Sequence, residues 1–269
     1  MDRQPIVSGQ FYPGSSEALS RQVEEYIKQG EPAAEKRTLL AMVPHAGYPF
    51  SGPTAGKVMA EANLSDRLLL LGPNHSGRGR ALAVWPEGTW KTPMGGLKVD
   101  SGLADALFEA EPRLKRDYEA HMYEHSLEVV VPFIESVRPE ARILPVCVAE
   151  HRLEVLFSVA ENIAGVLSKS SEPISIVVSS DMSHYVSHQS AKERDFMALQ
   201  AIEAMDPKAL AETVRRENIT MCGVLPMTLG LAVAKAMGAQ SSRVVDYSTS
   251  GDASGDYERV VGYAGVLVE

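Results

Sequence analysis

The chain has 269 residues, 45% of them hydrophobic and 23% charged, enough apolar material for a substantial buried core. Its formal charge of -9 argues against a nucleic-acid surface and against an anionic membrane, because both need a concentrated excess of Lys and Arg. Met1 to Gly9 has neither a basic n-region nor an apolar h-region, and the apolar stretch Leu229 to Met237 is interrupted by Lys235, so no segment reads as a leader or a membrane span.

In chain order, residue patterning predicts a helix over Ser16 to Lys28, a strand over Thr38 to Val43, a helix over Thr54 to Ala62, and strands over Arg67 to Leu71 and Ala81 to Trp85. Pro86 to Gly96 is a turn-rich excursion, either a hairpin or a lid. Helices are expected over Ser101 to Glu109 and Ser126 to Val137, then a strand over Arg142 to Val148, a helix over Leu153 to Leu167 and a strand over Ile174 to Ser179. Three helices follow, Ala191 to Met205, Lys208 to Arg216 and Val224 to Met237. Asp206-Pro207 marks the start of the second, and Gly238 ends the third. The strands Arg243 to Tyr247 and Arg259 to Val268 enclose a small polar stretch, Ser248 to Asp256, which reads as a linker or as a structured loop near a site. Strands alternating with helices predict an α/β fold over residues 1–269, a single domain with a central, mostly parallel sheet flanked by helices.

The two cysteines, Cys147 and Cys222, give no disulfide framework and point to a reducing cytoplasm. Cys147 lies inside the apolar strand Arg-Ile-Leu-Pro-Val-Cys-Val and reads as a small buried hydrophobe. Cys222 sits between Met221 and Gly223 just before a long helical pattern, where a helix N-terminus favours the metal-binding thiolate.

Four segments set metal-binding side chains beside turns: Val-Pro-His45-Ala-Gly, Gly-Pro-Asn74-His75-Ser, Ser-Asp181-Met-Ser-His184-Tyr and Thr-Met-Cys222-Gly. The first three follow runs of aliphatic and β-branched residues, so their polar groups collect at strand ends, where α/β proteins build sites. Asp181 and His184 are three residues apart, which suits a ligand pair, a histidine oriented by an acid for proton transfer, or an aspartate that caps the following helix. His121 and His125 share the i, i+4 spacing of zinc proteases, but Met122 stands where that motif needs its glutamate, so a zincin is rejected. Glu124 and His125 open the next helical pattern and remain pocket candidates with Asn74, whereas His151 and His188 read as surface or capping residues. Neither a dinucleotide fingerprint, a P-loop nor a Gly-x-Ser-x-Gly elbow occurs.

These motifs, together with Ser8-Gly-Gln-Phe-Tyr-Pro-Gly, Glu124-His-Ser-Leu-Glu, Ser-Gly-Asp252 and Val-Gly-Tyr263-Ala, make a set that resembles the Memo family. That family is also known in prokaryotes as the B component of the AmmeMemoRadiSam system. The resemblance runs from about residue 5 to the end, and it implies a fold related to the class III extradiol ring-cleaving dioxygenases. By motif, His45 and His75 match the two histidine ligands of the iron, His184 matches the acid–base histidine, and Cys222 takes the place of the third candidate ligand. A thiolate in place of the carboxylate of the usual two-histidine, one-carboxylate site softens it, so the resemblance implies Fe(II) first, with Zn or Cu compatible.

Three functions follow as expectations. The first is a redox enzyme in which His45, His75 and Cys222 hold iron and His184 moves a proton while Asp181 orients it. The second is a non-catalytic module that binds a peptide or small molecule in the same pocket. The third is a zinc hydrolase with His184 or Glu124 as base.

Overall fold

The computed structural model describes residues 1–33 and 35–269. In chain order its elements are α1 (Ser16–Ile27), β1 (Leu40–Val43), α2 (Tyr48–Glu61), β2 (Arg67–Pro73), β3 (Leu82–Val84), β4 (Thr89–Trp90), β5 (Leu97–Val99), α3 (Ser101–Ala110), β6 (Lys115–Arg116), α4 (Glu119–Met122) and α5 (Val131–Val137). They continue with β7 (Arg142–Val148), α6 (Leu153–Lys169), β8 (Ile174–Ser179), β9 (His184–Val186), α7 (His188–Glu203), α8 (Pro207–Arg216), α9 (Val224–Ala236), β10 (Ser242–Thr249), α10 (Ser250–Ser254) and β11 (Val260–Val268).

The apolar runs become the centre of one large mixed sheet, ordered β10-β11-β1-β8-β2-β7-β3-β6. Its inner strands β1, β8, β2 and β7 run parallel, with Leu40 beside Ile176, Leu69 beside Ile176 and Leu70 beside Pro145. Both faces of these strands are covered, which is why they read as continuous aliphatic runs instead of alternating patterns. Helix α9 lies on one face so closely that a Cβ on Gly230 would stand 2.8 Å from Val178 and 3.0 Å from Leu40. Helix α2 packs against β11, β10 and β1. The expected α/β class and its flanked sheet are what the chain forms, with antiparallel strands β10, β11 and β3 flanking the parallel centre.

Two boundaries move for identifiable reasons. Helix α2 begins at Tyr48, six residues before the expected Thr54, because Pro49 occupies its first turn, where no N–H is needed, and the Gly47 carbonyl accepts from Phe50 and Ser51. Helix α5 begins at Val131, not Ser126. The Ser126 carbonyl accepts the Ser179 hydroxyl instead of a helical amide, and Val130 turns to Leu127. The Pro86 to Gly96 excursion is a hairpin, pairing Thr89 with Lys98 and Trp90 with Leu97. Ser248 to Asp256 is structured: Thr249 and Asp252 form a capping box on α10, and Gly255 closes it in the left-handed conformation at φ 77°. Among the described residues, no helix is long and apolar enough to cross a membrane.

Candidate metal centre

Parallel strands deliver their C-terminal ends to one edge of the sheet, so the residues just beyond β1, β2 and β8 meet there. His45 follows β1 and His75 follows β2. Together with His125, which lies beyond α4, they can each offer one ring nitrogen with all three atoms within 4.8 Å of one another. The rings are 5.0 to 5.6 Å apart between centroids, with His75 and His125 stacked and His45 set edge-on to both.

Hydrogen bonds set which nitrogens face inward. The Ser179 hydroxyl donates to the Ser126 carbonyl at 2.8 Å, so at 2.6 Å from His45 it accepts from Nδ1–H and leaves Nε2 with a free lone pair. Glu124 accepts the His75 backbone N–H at 2.5 Å and Nδ1 at 2.9 Å, which fixes the same tautomer there. Imidazoles that donate at Nδ1 and offer Nε2 are arranged as metal ligands are.

The electrostatics separate the three rings. Complete burial, then the neighbouring His75 and His125, drive the His45 pKa well below its ordinary value. Burial also opposes charge on His75, but the hydrogen bond and the charge of Glu124 outweigh it and raise the pKa. The same pairing outweighs burial at Glu124 and holds its carboxyl down at about 2. His125 is lowered, by burial first and then by His75.

Cys222 is adjacent to this group, with Sγ 3.4 Å from His45 Nε2. Its thiol accepts the Asp181 N–H at 3.3 Å, and burial followed by the Asp181 charge raises its pKa. A close approach brings it there: a Cβ on Gly223 would stand 2.3 Å from Ser180 Cβ and 2.6 Å from the Ser179 carbonyl, so glycine lets the 220–223 loop lie on the end of β8. Of the expected set His45, His75 and Cys222, the two histidines cluster with His125, and Cys222 borders His45 from outside that group.

The expected pairing of Asp181 with His184 is not formed. Asp181 Oδ1 instead accepts the His45 N–H at 2.7 Å, and its Oδ2 lies 4.0 Å from His45 Nε2. Burial pushes the Asp181 carboxyl up to about 6. His184 is drawn into β9 beside Val261, and Thr220 orients it: the Thr220 hydroxyl accepts its N–H at 2.7 Å, and the Thr220 carbonyl lies 3.0 Å from Nδ1. Only a donor can face a carbonyl, so His184 carries its proton on Nδ1 and keeps Nε2 free. Nor does Asp181 cap α7, whose N-cap is Ser187.

Asn74 serves its own loop. Its amide donates to the Arg78 carbonyl at 2.6 Å, and its Oδ1 accepts from Ser76 and Gly77, bracing the turn that carries His75. His121 does not share a helical face with His125. It is fully buried, 3.0 Å from the Ala83 carbonyl through Nε2 and 3.4 Å from Cys147 Sγ through Nδ1. Cys147 is fully buried, as a small core residue. His188 opens α7 and lies 3.0 Å from the Thr249 hydroxyl, and His151 is exposed. Ser179 and Thr220, which set two of the tautomers, went unread in the sequence. The one available signal was the polar pair Ser179-Ser180 ending a β-branched run.

An α/β sheet with a cluster of histidines at the ends of its parallel strands defines the class of protein. The chain matches the model of Memo-like proteins over residues 3–267 and belongs to the Memo family. It is 39% identical over 279 residues to a MEMO1 family protein of Methanopyrus kandleri, covering 99% of both chains. It is also 39% identical over 266 residues to one of Aquifex aeolicus, covering 98% of both. Among solved structures, an uncharacterized protein from Escherichia coli K12 shares the fold, with a TM-score of 0.50 and 13% identity over 85% of this chain and 99% of that one.

Proposed function

We propose that the chain is a metal-dependent redox enzyme of the non-haem Fe(II) kind acting on a small molecule, with a cytoplasmic location suited to its free thiols. The observation that carries this reading is the cluster of His45, His75 and His125, whose ring nitrogens lie within 4.8 Å of one another, with Nδ1 of the first two engaged and the Cys222 thiol 3.4 Å from His45 Nε2. His45, His75 and Cys222 would hold the ion, and His125, stacked on His75, lies in reach as a further donor. Bound Fe(II) would supply the activation of oxygen and the electrons. His184 moves the proton through Nε2, since Thr220 occupies Nδ1. Asp181 steadies the His45 backbone and gives the pocket an acid that changes charge near pH 6. Anaerobic loading with Fe(II), followed by oxygen uptake with a catechol-type probe in the parent and in His184→Ala, tests the reading. Uptake that His184→Ala abolishes supports it, and an absence of uptake in the loaded parent opposes it.

A second reading has a specific observation in its favour. Three imidazoles within 4.8 Å are also a donor set for zinc, which would make the site a hydrolase centre. Glu124 is unsuited to act as its base, because both carboxylate oxygens are already committed to His75 and Ser126. Element analysis of the purified protein separates the readings: iron supports the first and zinc the second.

A further inference from the structure

Outside the histidine cluster, the loop that starts with His75 ends with Arg80 at a surface cleft of about 320 Å³. Four cations line this cleft, Arg80, Arg113, Lys115 and Arg152, and Glu150 is the one acidic lining residue. In a chain of formal charge -9 such a concentration is a local reversal of sign.

Two of the guanidinium groups are paired with carboxylates. Glu150 accepts from Arg152 Nε at 2.9 Å and Nη2 at 2.7 Å, and Glu111 accepts from Arg113 Nε at 2.7 Å and Nη2 at 2.5 Å. Both arginines keep Nη1 without a protein acceptor among the described residues, so each has a donor to spare. Arg80 and Lys115 have no ion-pair partner among the described residues. Four cations against Glu111 and Glu150 leave an excess of positive charge, and Asp117, which accepts the Arg80 N–H at 2.7 Å, does not cancel it.

Guanidinium forks pair with phosphoryl oxygens as they do with carboxylates, and four cations lining one cleft suit the higher charge of a phosphoryl group. The cleft has the volume of a small ligand, and the net charge of -9 on the whole chain disfavours an extended polyanion such as RNA. We propose that this cleft binds a small phosphorylated molecule through its phosphoryl oxygens, with Arg80 and Lys115 supplying the uncompensated charge. The site stands independently of the metal reading, because it shares no side chain with the histidine cluster.

Calorimetric titration of the full chain with inorganic pyrophosphate at low salt is the test. The parent is expected to bind, and Arg80→Ala/Lys115→Ala to bind roughly tenfold or more weakly. Arg80→Lys/Lys115→Arg should keep most of the affinity, and Lys208→Ala, on the exposed surface of α8, all of it. Parent protein that does not bind pyrophosphate would overturn the proposal, as would a double alanine variant that binds like the parent. Tight binding of a short single-stranded RNA without binding of pyrophosphate would replace it with a nucleic-acid surface.

Discussion

Glu124 grips His75 twice, taking its backbone N–H on Oε2 at 2.5 Å and facing its ring Nδ1 with Oε1 at 2.9 Å. The carboxylate is almost fully buried, and the ring it holds is more than a third exposed, so the buried partner sets the orientation of the open one. An outer group of this kind fixes the tautomer and raises the basicity of a metal-binding imidazole. Glu124→Gln is therefore expected to weaken metal affinity by roughly 10- to 100-fold while the sheet stays folded. Competition against a chelator measures it, and unchanged affinity would refute the orienting role.

The same pair has a pH signature. Glu124 is held down at about 2 from an ordinary 4.5, so its contribution to stability is fully present above about pH 4.5 and disappears as the pH falls toward 2. His75 is raised above its ordinary 6.5, so its contribution is fully present below that value and disappears as the pH rises through the folded pKa. The stability difference between the parent and Glu124→Gln, in the absence of metal, should thus be largest between about pH 4.5 and 6.5. Denaturant midpoints across pH 3 to 9 check this, and a difference that does not vary with pH would contradict it.

The third metal donor is open to direct trial. Cys222→Ala removes the thiol 3.4 Å from His45, and His125→Ala removes the ring stacked on His75. The larger loss of Fe(II) affinity is expected for Cys222→Ala, and a charge-transfer absorption present in the loaded parent should be missing from that variant alone. Should His125→Ala cost more, the centre is a three-imidazole site and the thiol a bystander.

Gly223 keeps the Cys222 loop in place. A methyl group at this position would meet the Ser179 carbonyl at 2.6 Å and Ser180 Cβ at 2.3 Å, against backbone and a short side chain that have little room to yield. Gly223→Ala should cost about 1–3 kcal/mol of stability in chemical denaturation and weaken metal binding along with it. Wild-type stability would mean that the loop can shift without cost.

Much of this arrangement was legible in the chain. Leu-Leu-Ala-Met-Val before Pro44-His45, and Leu-Leu-Leu-Leu-Gly before Pro73-Asn74-His75, combine a buried parallel strand with a turn, so the ends of β1 and β2 could be read as the site edge. His125 was harder to place. Periodicity joined Ser126 to the helix, and nothing local reveals that the Ser126 carbonyl is taken by Ser179, 53 residues away. The partner of His184 was misread for a related reason. Asp181 is near in sequence, but Thr220 reaches His184 from a distant loop, and such contacts arise only from the packing of α9 on β8 and the pairing of β9 with β11. The short strands β4, β5 and β6, two or three residues each, exist by pairing with neighbours and leave no periodic trace.

The proposed centre depends on His45 as a metal ligand. Anaerobic titration of the metal-free chain with Fe(II), carried out in parallel on His45→Ala, measures that directly. The expected result is one ion bound per parent chain and binding abolished in the variant, whose melting temperature without metal stays close to that of the parent. A parent chain that takes up no ion, or a variant that binds as tightly as the parent, would contradict it.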